Sequence, residues 1–250
     1  MSARRLNVYD YTMLVAILVA LLVNYALYSG RIIVRSGGIE FATTGTSPGG
    51  NAPGVTVTPN AADLAELDDS SDLPGTYVAP QGRRHTAGVW PLRERVPYCE
   101  PDDINNFCYA SKPPSSGLHV PVQRIAPLFD GSRVPLPPDP GIYESEYPRE
   151  AIPHIQEHAG VFVGYNCVSD ACLGAVQDAR DVVLQQLSLG ARVVFAPFGD
   201  LDEDTFGLAS WTRVDTFAAS DYEDERLRGF IQSHSCRFDP EGFCRGNPVN

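Results

Sequence analysis

The apolar positions of this chain fall into three regimes. Tyr11 to Gly30 contains no charged residue, and Met13 to Val23 is almost wholly Leu, Val, Ala and Ile. Twenty residues of helix span about 30 Å, roughly one hydrocarbon thickness. Tyr9 and Tyr11 at one end, and Tyr25 and Tyr28 near the other, resemble an aromatic belt. The pattern predicts an uncleaved transmembrane anchor over 11–33, after a short cytoplasmic tail at 1–10. A cleaved signal peptide fits less well. The apolar run exceeds the usual core of ~7–15 residues, and Tyr28 occupies the position where a small residue is wanted.

From 34 to 90 the composition changes to Gly, Pro, Thr, Ser and Asn, as in Thr43-Thr44-Gly45-Thr46-Ser47-Pro48-Gly49-Gly50. Such a stretch buries too little apolar surface to order alone, so it is expected to be an extended linker or a strap laid over a partner. One island within it, Asn60 to Leu67, predicts a short helix with Leu64 and Leu67 on one face.

The third regime is 91–250. Its first part, to about 150, is Pro-rich and irregular. Val161 to Tyr165 then reads as an apolar strand, and Ser169 caps a helix. In that helix Cys172, Val176, Ala179, Val183 and Leu187 form one stripe before Gly190 ends it. Arg192 to Ala196 is a buried-type strand stopped by Pro197, and Phe206 to Phe217 a further strand or hairpin. Ser220 and Glu223 spell a capping box for a last helix, which buries Leu227, Phe230, Ile231 and His234. The predicted fold class is α+β: a single N-terminal transmembrane helix, a long Gly/Pro-rich strap, and a small mixed sheet with packed helices.

Charge and cysteines refine the topology. The chain has 19 Lys+Arg against 31 Asp+Glu, a net charge of -12, which argues against a nucleic-acid partner. Arg4 and Arg5 precede the apolar run and Arg31 and Arg35 follow it, so the positive-inside count is nearly tied. Six cysteines break the tie, because all lie beyond residue 98 in three close pairs: Cys99 and Cys108, Cys167 and Cys172, Cys236 and Cys244. That usage suits an oxidising compartment and up to three disulfides, although six cysteines allow fifteen connectivities. The expected topology is single-pass, with the N-terminus cytoplasmic and the C-terminal domain exported; in a bacterium that is the inner (cytoplasmic) membrane and the periplasm.

The candidate chemistry is sparse. His119, His154 and His158 supply three imidazoles and Glu157 a carboxylate, a donor set that suits copper or zinc among others. The spelling His154-Ile155-Gln156-Glu157-His158 matches the inverted zinc-protease motif, but Pro153 and Gly160 leave room for little more than one helical turn. The acidic loop between Cys99 and Cys108 lacks the order of an EF-hand. Ser115 and Ser116 near His119 offer a nucleophile without an orienting acid. No phosphate loop, dinucleotide fingerprint, Gly-x-Ser-x-Gly or Cys-x-x-Cys is present.

Several segments together resemble a bacterial membrane-anchored domain-of-unknown-function family, number 3105. They are Pro113-Pro114-Ser115-Ser116-Gly117-Leu118-His119, Gly141-Ile142-Tyr143, His154 to His158, Ala196-Pro197-Phe198, Ala209-Ser210-Trp211 and Arg226 to Ile231. The resemblance covers about 110–242 and implies an N-terminal anchor and an exported domain, with no established activity. Two departures stand out. The family's Glu-His-Gly-Ala is here Glu157-His158-Ala159-Gly160, and Asp139-Pro140 stands where a cysteine often precedes Gly-x-Tyr.

These observations lead to two expectations. The first is a non-catalytic accessory subunit of an integral membrane complex, respiratory or photosynthetic, contacting lipid through residues 11–33. The alternative is an exported copper- or zinc-binding protein using His119, His154 and His158, with a metal-dependent hydrolase as a lesser variant.

Overall fold

A computed structural model describes residues 61–244, together with two short strands near the N-terminus. Those strands, β1 (Ile32–Arg35) and β2 (Gly38–Phe41), pair antiparallel with Ile32 opposite Phe41. They belong to a unit, 1–57, separate from the compact unit 58–250. The β-branched run Ile32-Ile33-Val34 favours a strand, so the last two positions expected in the anchor lie in β1 instead. Positions 11–31 of that anchor lie outside the described residues. Among the described residues no helix is long and apolar enough to cross a membrane.

The larger unit is α+β. Its strands are β3 (Thr76–Tyr77), β4 (Gln123–Pro127), β5 (Arg133–Leu136), β6 (Gly141–Ile142), β7 (Val161–Asn166), β8 (Val193–Pro197), β9 (Thr205–Ser210) and β10 (Arg213–Ala218). Six of them form one mixed sheet in the order β3-β10-β9-β7-β8-β6, while β4 and β5 make a separate hairpin. At its centre β7 runs parallel to β8 and antiparallel to β9. The helices are α1 (Ala61–Leu67), α2 (Ile152–Glu157), α3 (Asp170–Ser188) and α4 (Asp224–His234).

Strand alternation divides the core in two. Val161, Val163, Val193, Phe195, Phe206 and Leu208 face α3 and α4, where they meet Val176, Ala179, Val183, Leu227, Phe230 and Ile231. The intervening residues Phe162, Val194 and Ala196 face the other way, onto Trp90, Leu128, Leu136, Tyr147, Ile152 and Ile155. The Pro-rich stretch before residue 150 therefore supplies the second half of the core. It holds its shape by side-chain bonds more than by backbone ladders. Glu150, fully buried, accepts from the Val96 amide at 3.0 Å and from both Nε and Nη2 of Arg95.

Residues 61–90, expected within the strap, are packed on their own domain. β3 extends the sheet beside β10, and Gln81 donates to the carbonyls of Asn105 and Cys108. The island helix forms as α1, but its buried side is not the one expected. Leu64 and Leu67 are exposed, whereas Ala62 and Ala65 pack against Trp211 and Phe238. Small side chains let the helix approach the stacked Trp211 and Phe238 rings, 4.5 Å apart.

α3 starts as expected, with the Ser169 hydroxyl accepting from the Cys172 amide at 3.2 Å. The capping box expected before α4 does not form. Ser220 lies in a 3-10 turn, Ala219–Asp221, and Glu223 is itself the N-cap residue, without a side-chain bond.

Candidate functional site

The site lies where three elements of the second core converge. The first is the loop Pro113–His119, which is pinned throughout. Gln156 Nε2 donates to the Pro114 carbonyl at 2.9 Å, and the Thr212 amide to the Ser115 carbonyl. Ser116 Oγ accepts from the Gln81 amide at 3.0 Å, and Ser115 Oγ lies 3.1 Å from Ser111 Oγ. Both serines thus serve the loop's geometry, and neither is prepared as a nucleophile. The loop delivers His119 fully buried.

The second element is the segment around His85. The His119 amide donates to the Arg84 carbonyl and the Thr86 amide to the His119 carbonyl, a parallel bridge that sets His85 beside His119. The third is α2, a single buried turn plus its flanks, which carries His154 and Glu157 and ends at His158. His154 and Glu157 share one face of that turn, as residues three apart on a helix do.

Four of the chain's five histidines meet here. Ring centroids are 4.8 Å apart for His85–His119, 4.8 Å for His119–His154, 5.3 Å for His85–His154 and 4.7 Å for His154–His158. Hydrogen bonding orients the two buried rings. His119 Nδ1 lies 2.9 Å from the Gly117 carbonyl, and His154 Nδ1 lies 2.7 Å from the Val120 carbonyl. A carbonyl only accepts, so each Nδ1 carries a proton, which leaves Nε2 as the other polar position of each ring. A backbone carbonyl on the far nitrogen is also the usual support for a metal-ligating histidine.

His119 Nε2 has no hydrogen-bond partner although it is fully buried. The Glu157 carboxylate stands 3.1 Å away, within ion-pair distance, but without the alignment a hydrogen bond requires. Burial pushes the His154 ring down to about 4, and its neighbours His119 and His158 add to that while the Val120 bond opposes it. The His154 lone pair is therefore free at neutral pH.

Ligand nitrogens of His85, His119 and His154 all lie within 4.8 Å of one another. Tetrahedral ligation at about 2.0–2.1 Å places nitrogens about 3.4 Å apart, so modest closure completes a three-imidazole set. His85 is exposed, while His119 and His154 are buried in the core. Glu157 Oε2, 3.1 Å from His119 Nε2, brings a carboxylate to the edge of the set.

His158 belongs to the row of rings but is turned to other partners. It stacks on Phe243 at 4.1 Å, and its Nε2 lies 3.3 Å from Glu241 Oε2. Burial lowers its pKa, with Glu241 opposing and Arg192 assisting. Of the three histidines singled out in the sequence, His119 and His154 thus share the convergent donor set, and His158 flanks it. His85 was missed. It sits in the stretch assigned to the strap, and its pairing with His119 spans 34 positions, which no local pattern reveals. The scarcity of histidine was the one available signal.

The cysteines pair with their sequence neighbours: Cys99–Cys108, Cys167–Cys172 and Cys236–Cys244, with Cα separations of 4.9, 5.4 and 5.9 Å. Cys99–Cys108 carries a carbonyl that Gln81 bonds, and Cys236–Cys244 brackets Glu241 and Phe243. A second cluster, Cys167, Cys172 and Asp204, has its thiols tied in a disulfide, while Asp204 accepts from the Val168 and Ser169 amides. It is a structural cap on α3. His234 takes Arg237 Nε on Nδ1 and bonds the Pro74 carbonyl through Nε2, a satisfied core residue.

No curated protein and no solved structure matches the chain. The family described as protein of unknown function (DUF3105) matches residues 102–246, more than half of the sequence and all of the loop and helix that carry His119, His154 and Glu157, and the chain belongs to that family.

Proposed function

We propose that this chain is an exported protein that binds one transition-metal ion, zinc or copper, through His85, His119 and His154, with Glu157 as the fourth donor. The observation that carries this reading is the buried, unpartnered Nε2 of His119 facing Glu157 and two further imidazoles. A wholly structural cluster would leave that nitrogen without a hydrogen bond, at a cost of about 1–3 kcal/mol. The donor chemistry is imidazole with one carboxylate, which suits zinc or copper(II) more than copper(I), since all six cysteines are in disulfides. A metal-dependent hydrolase is a narrower form of this reading, in which Glu157 does not ligate and a water takes the fourth position.

The test is metal content. The purified full chain, dialysed against zinc and separately against copper(II), is expected to retain one equivalent of one of them. His154→Ala and His119→Ala are expected to lose it, and His85→Ala to weaken retention at least about tenfold. His158→Ala is expected to change it less. Stoichiometric metal in His119→Ala, in a variant whose circular dichroism is native, refutes the site.

That a membrane complex hosts the chain is a separate proposal, resting on the apolar pattern of 11–33. Detergent extraction and size separation test it, and migration as a lone 27.2 kDa chain refutes it.

A further inference from the structure

His158 stands near enough to the donor set to join it, and a separate part of the chain keeps it out. His154 and His158 are four residues apart, the spacing that puts two imidazoles on one helical face, and their ring centroids are 4.7 Å apart. The His158 ring is nevertheless held elsewhere. Phe243 stacks on it at 4.1 Å, and Glu241 Oε2 lies 3.3 Å from its Nε2. Arg192 lies 4.9 Å from the Phe243 centroid and completes the stack. Both holding residues come from one loop, closed by Cys236–Cys244. Among the described residues, 238–244 make no backbone-to-backbone hydrogen bond. The loop keeps its shape through the Asp239 carboxylate, which accepts from the Phe243 amide at 2.7 Å and the Cys244 amide at 3.0 Å, and through the disulfide. The three disulfides are not equivalent. Cys108 and Cys172 are buried, whereas neither Cys236 nor Cys244 is. Cys236 also has φ 65°, a left-handed conformation that is strained for a residue with a Cβ. Its amide donates to the carbonyl of Ala159, the residue after His158, at 3.0 Å.

We propose that loop 236–244 is a redox-operated clamp that withholds His158 from the metal site, and that an external dithiol, by opening Cys236–Cys244, gives the site a fourth imidazole. The inference rests on the metal reading and adds its regulation. The step is thiol–disulfide exchange. Two electrons and two protons pass to Cys236 and Cys244, which become thiols, and the dithiol becomes a disulfide. Exposure and backbone strain mark this bond as the most easily opened of the three. Opening it removes the link that closes the loop on itself, so Glu241 and Phe243 gain the freedom to leave the ring. Arg192 Nε donates to the His158 carbonyl at 2.6 Å, which keeps the backbone in place while the side chain is released. A purely structural staple needs neither of the side chains that this loop carries to His158. Here both converge on one ring, the one beside the donor set.

The experiment uses the full chain, with zinc as the probe and a competing chelator to read affinity. Two variants release His158 by different routes. Cys236→Ser/Cys244→Ser removes the bond together with the thiols that would themselves take zinc. Glu241→Ala/Phe243→Ala, at two exposed positions, removes the clamp and keeps the bond. Each is expected to bind zinc about tenfold more tightly than the oxidised parent, a change of the size that partners of metal ligands produce. Adding His158→Ala to either is expected to abolish the gain. In the parent, graded dithiol followed by alkylation is expected to label Cys236 and Cys244 before the other four cysteines. Unchanged zinc affinity in both released variants overturns the proposal, as does a gain that survives His158→Ala or earlier labelling of another pair. A parent that retains no metal refutes the histidine site and this inference with it. A parent that retains zinc while the released variants gain nothing refutes the clamp alone.

Discussion

The two halves of the compact unit hold together by different means. Residues 161–234 are regular: a central strand run, two amphipathic helices and a hairpin, with apolar side chains at the period of each element. Residues 61–158 contain few ladders. There the backbone is tied by individual polar side chains, such as Gln81, Glu150 and Gln156, each reaching carbonyls or amides far off in sequence. The first half is a scaffold that many apolar sequences would satisfy. The second tolerates little change, because each buried polar group has one set of partners. The candidate site sits in the second kind of structure, where orientation is fixed by hydrogen bonds.

Truncating one residue of each half gives the largest expected effects. Phe230→Ala removes a fully buried ring from between α3, α4 and the sheet, and is expected to cost about 3–5 kcal/mol. Glu150→Ala leaves Arg95 and the Val96 amide without their acceptor, and is expected to cost about 3 kcal/mol, the low end because Arg95 is partly exposed. Denaturant titration gives the totals, and amide exchange separates the mechanisms. Phe230→Ala should lower protection everywhere. Glu150→Ala should loosen 91–97 and 119–121 first, since the Glu150 carbonyl also accepts from the Val120 amide, whose residue orients His154. Uniform loosening in both variants would erase the distinction between the halves.

Acid is the next largest lever. Burial lowers His154 and His234 to about 4, so the folded chain resists protonation that the unfolded chain accepts near 6.5. The contribution of these two rings is therefore complete above about pH 6.5, declines as pH falls toward about 4, and is lost below that. Each ring contributes a loss on the order of 3 kcal/mol across that window. His234→Gln, which keeps a donor and an acceptor, should flatten part of the decline without altering metal content. A metal-free chain as stable at pH 4.5 as at pH 7 would contradict both assignments.

The same contrast explains what was legible beforehand. β7, β8, the β9–β10 hairpin, α3 and α4 were visible because their apolar spacing is local. The expected capping box failed because Ser220 and Asp221 close a tighter 3-10 turn before α4 begins. The β4–β5 hairpin was hidden by Pro127 and Pro135, residues that read against a strand and are tolerated here because the hairpin stands apart from the main sheet. Of the four proposed donors, His119, His154 and Glu157 were legible, the last two lying three apart on one turn; His85 was not, because it reaches His119 only through a bridge between distant segments.

The smallest expected effect lies at the seam between the halves, at Ala159-Gly160. Ala159 has φ 63°, the left-handed conformation that glycine adopts without strain. Gly160 is in a different difficulty, since a Cβ there would come within 2.7 Å of the Ile155 carbonyl and 2.8 Å of its Cγ2. Backbone cannot yield as a flexible side chain can, so Gly160→Ala is expected to cost about 2 kcal/mol. Ala159→Gly relieves about 1 kcal/mol of left-handed strain but gives the unfolded chain more freedom and exposes the space of a buried methyl. Those terms nearly cancel, and the expected change is under about 1 kcal/mol in either direction. A side chain is thus tolerated at 159 because it is only a methyl, and a β-branched residue at the same place would not be. Ala159→Val, measured by thermal melting beside Ala159→Gly, should fall well below both it and the parent. If valine proves as stable as alanine, the turn after α2 is not the fixed joint on which the placement of His158 and the start of β7 depend.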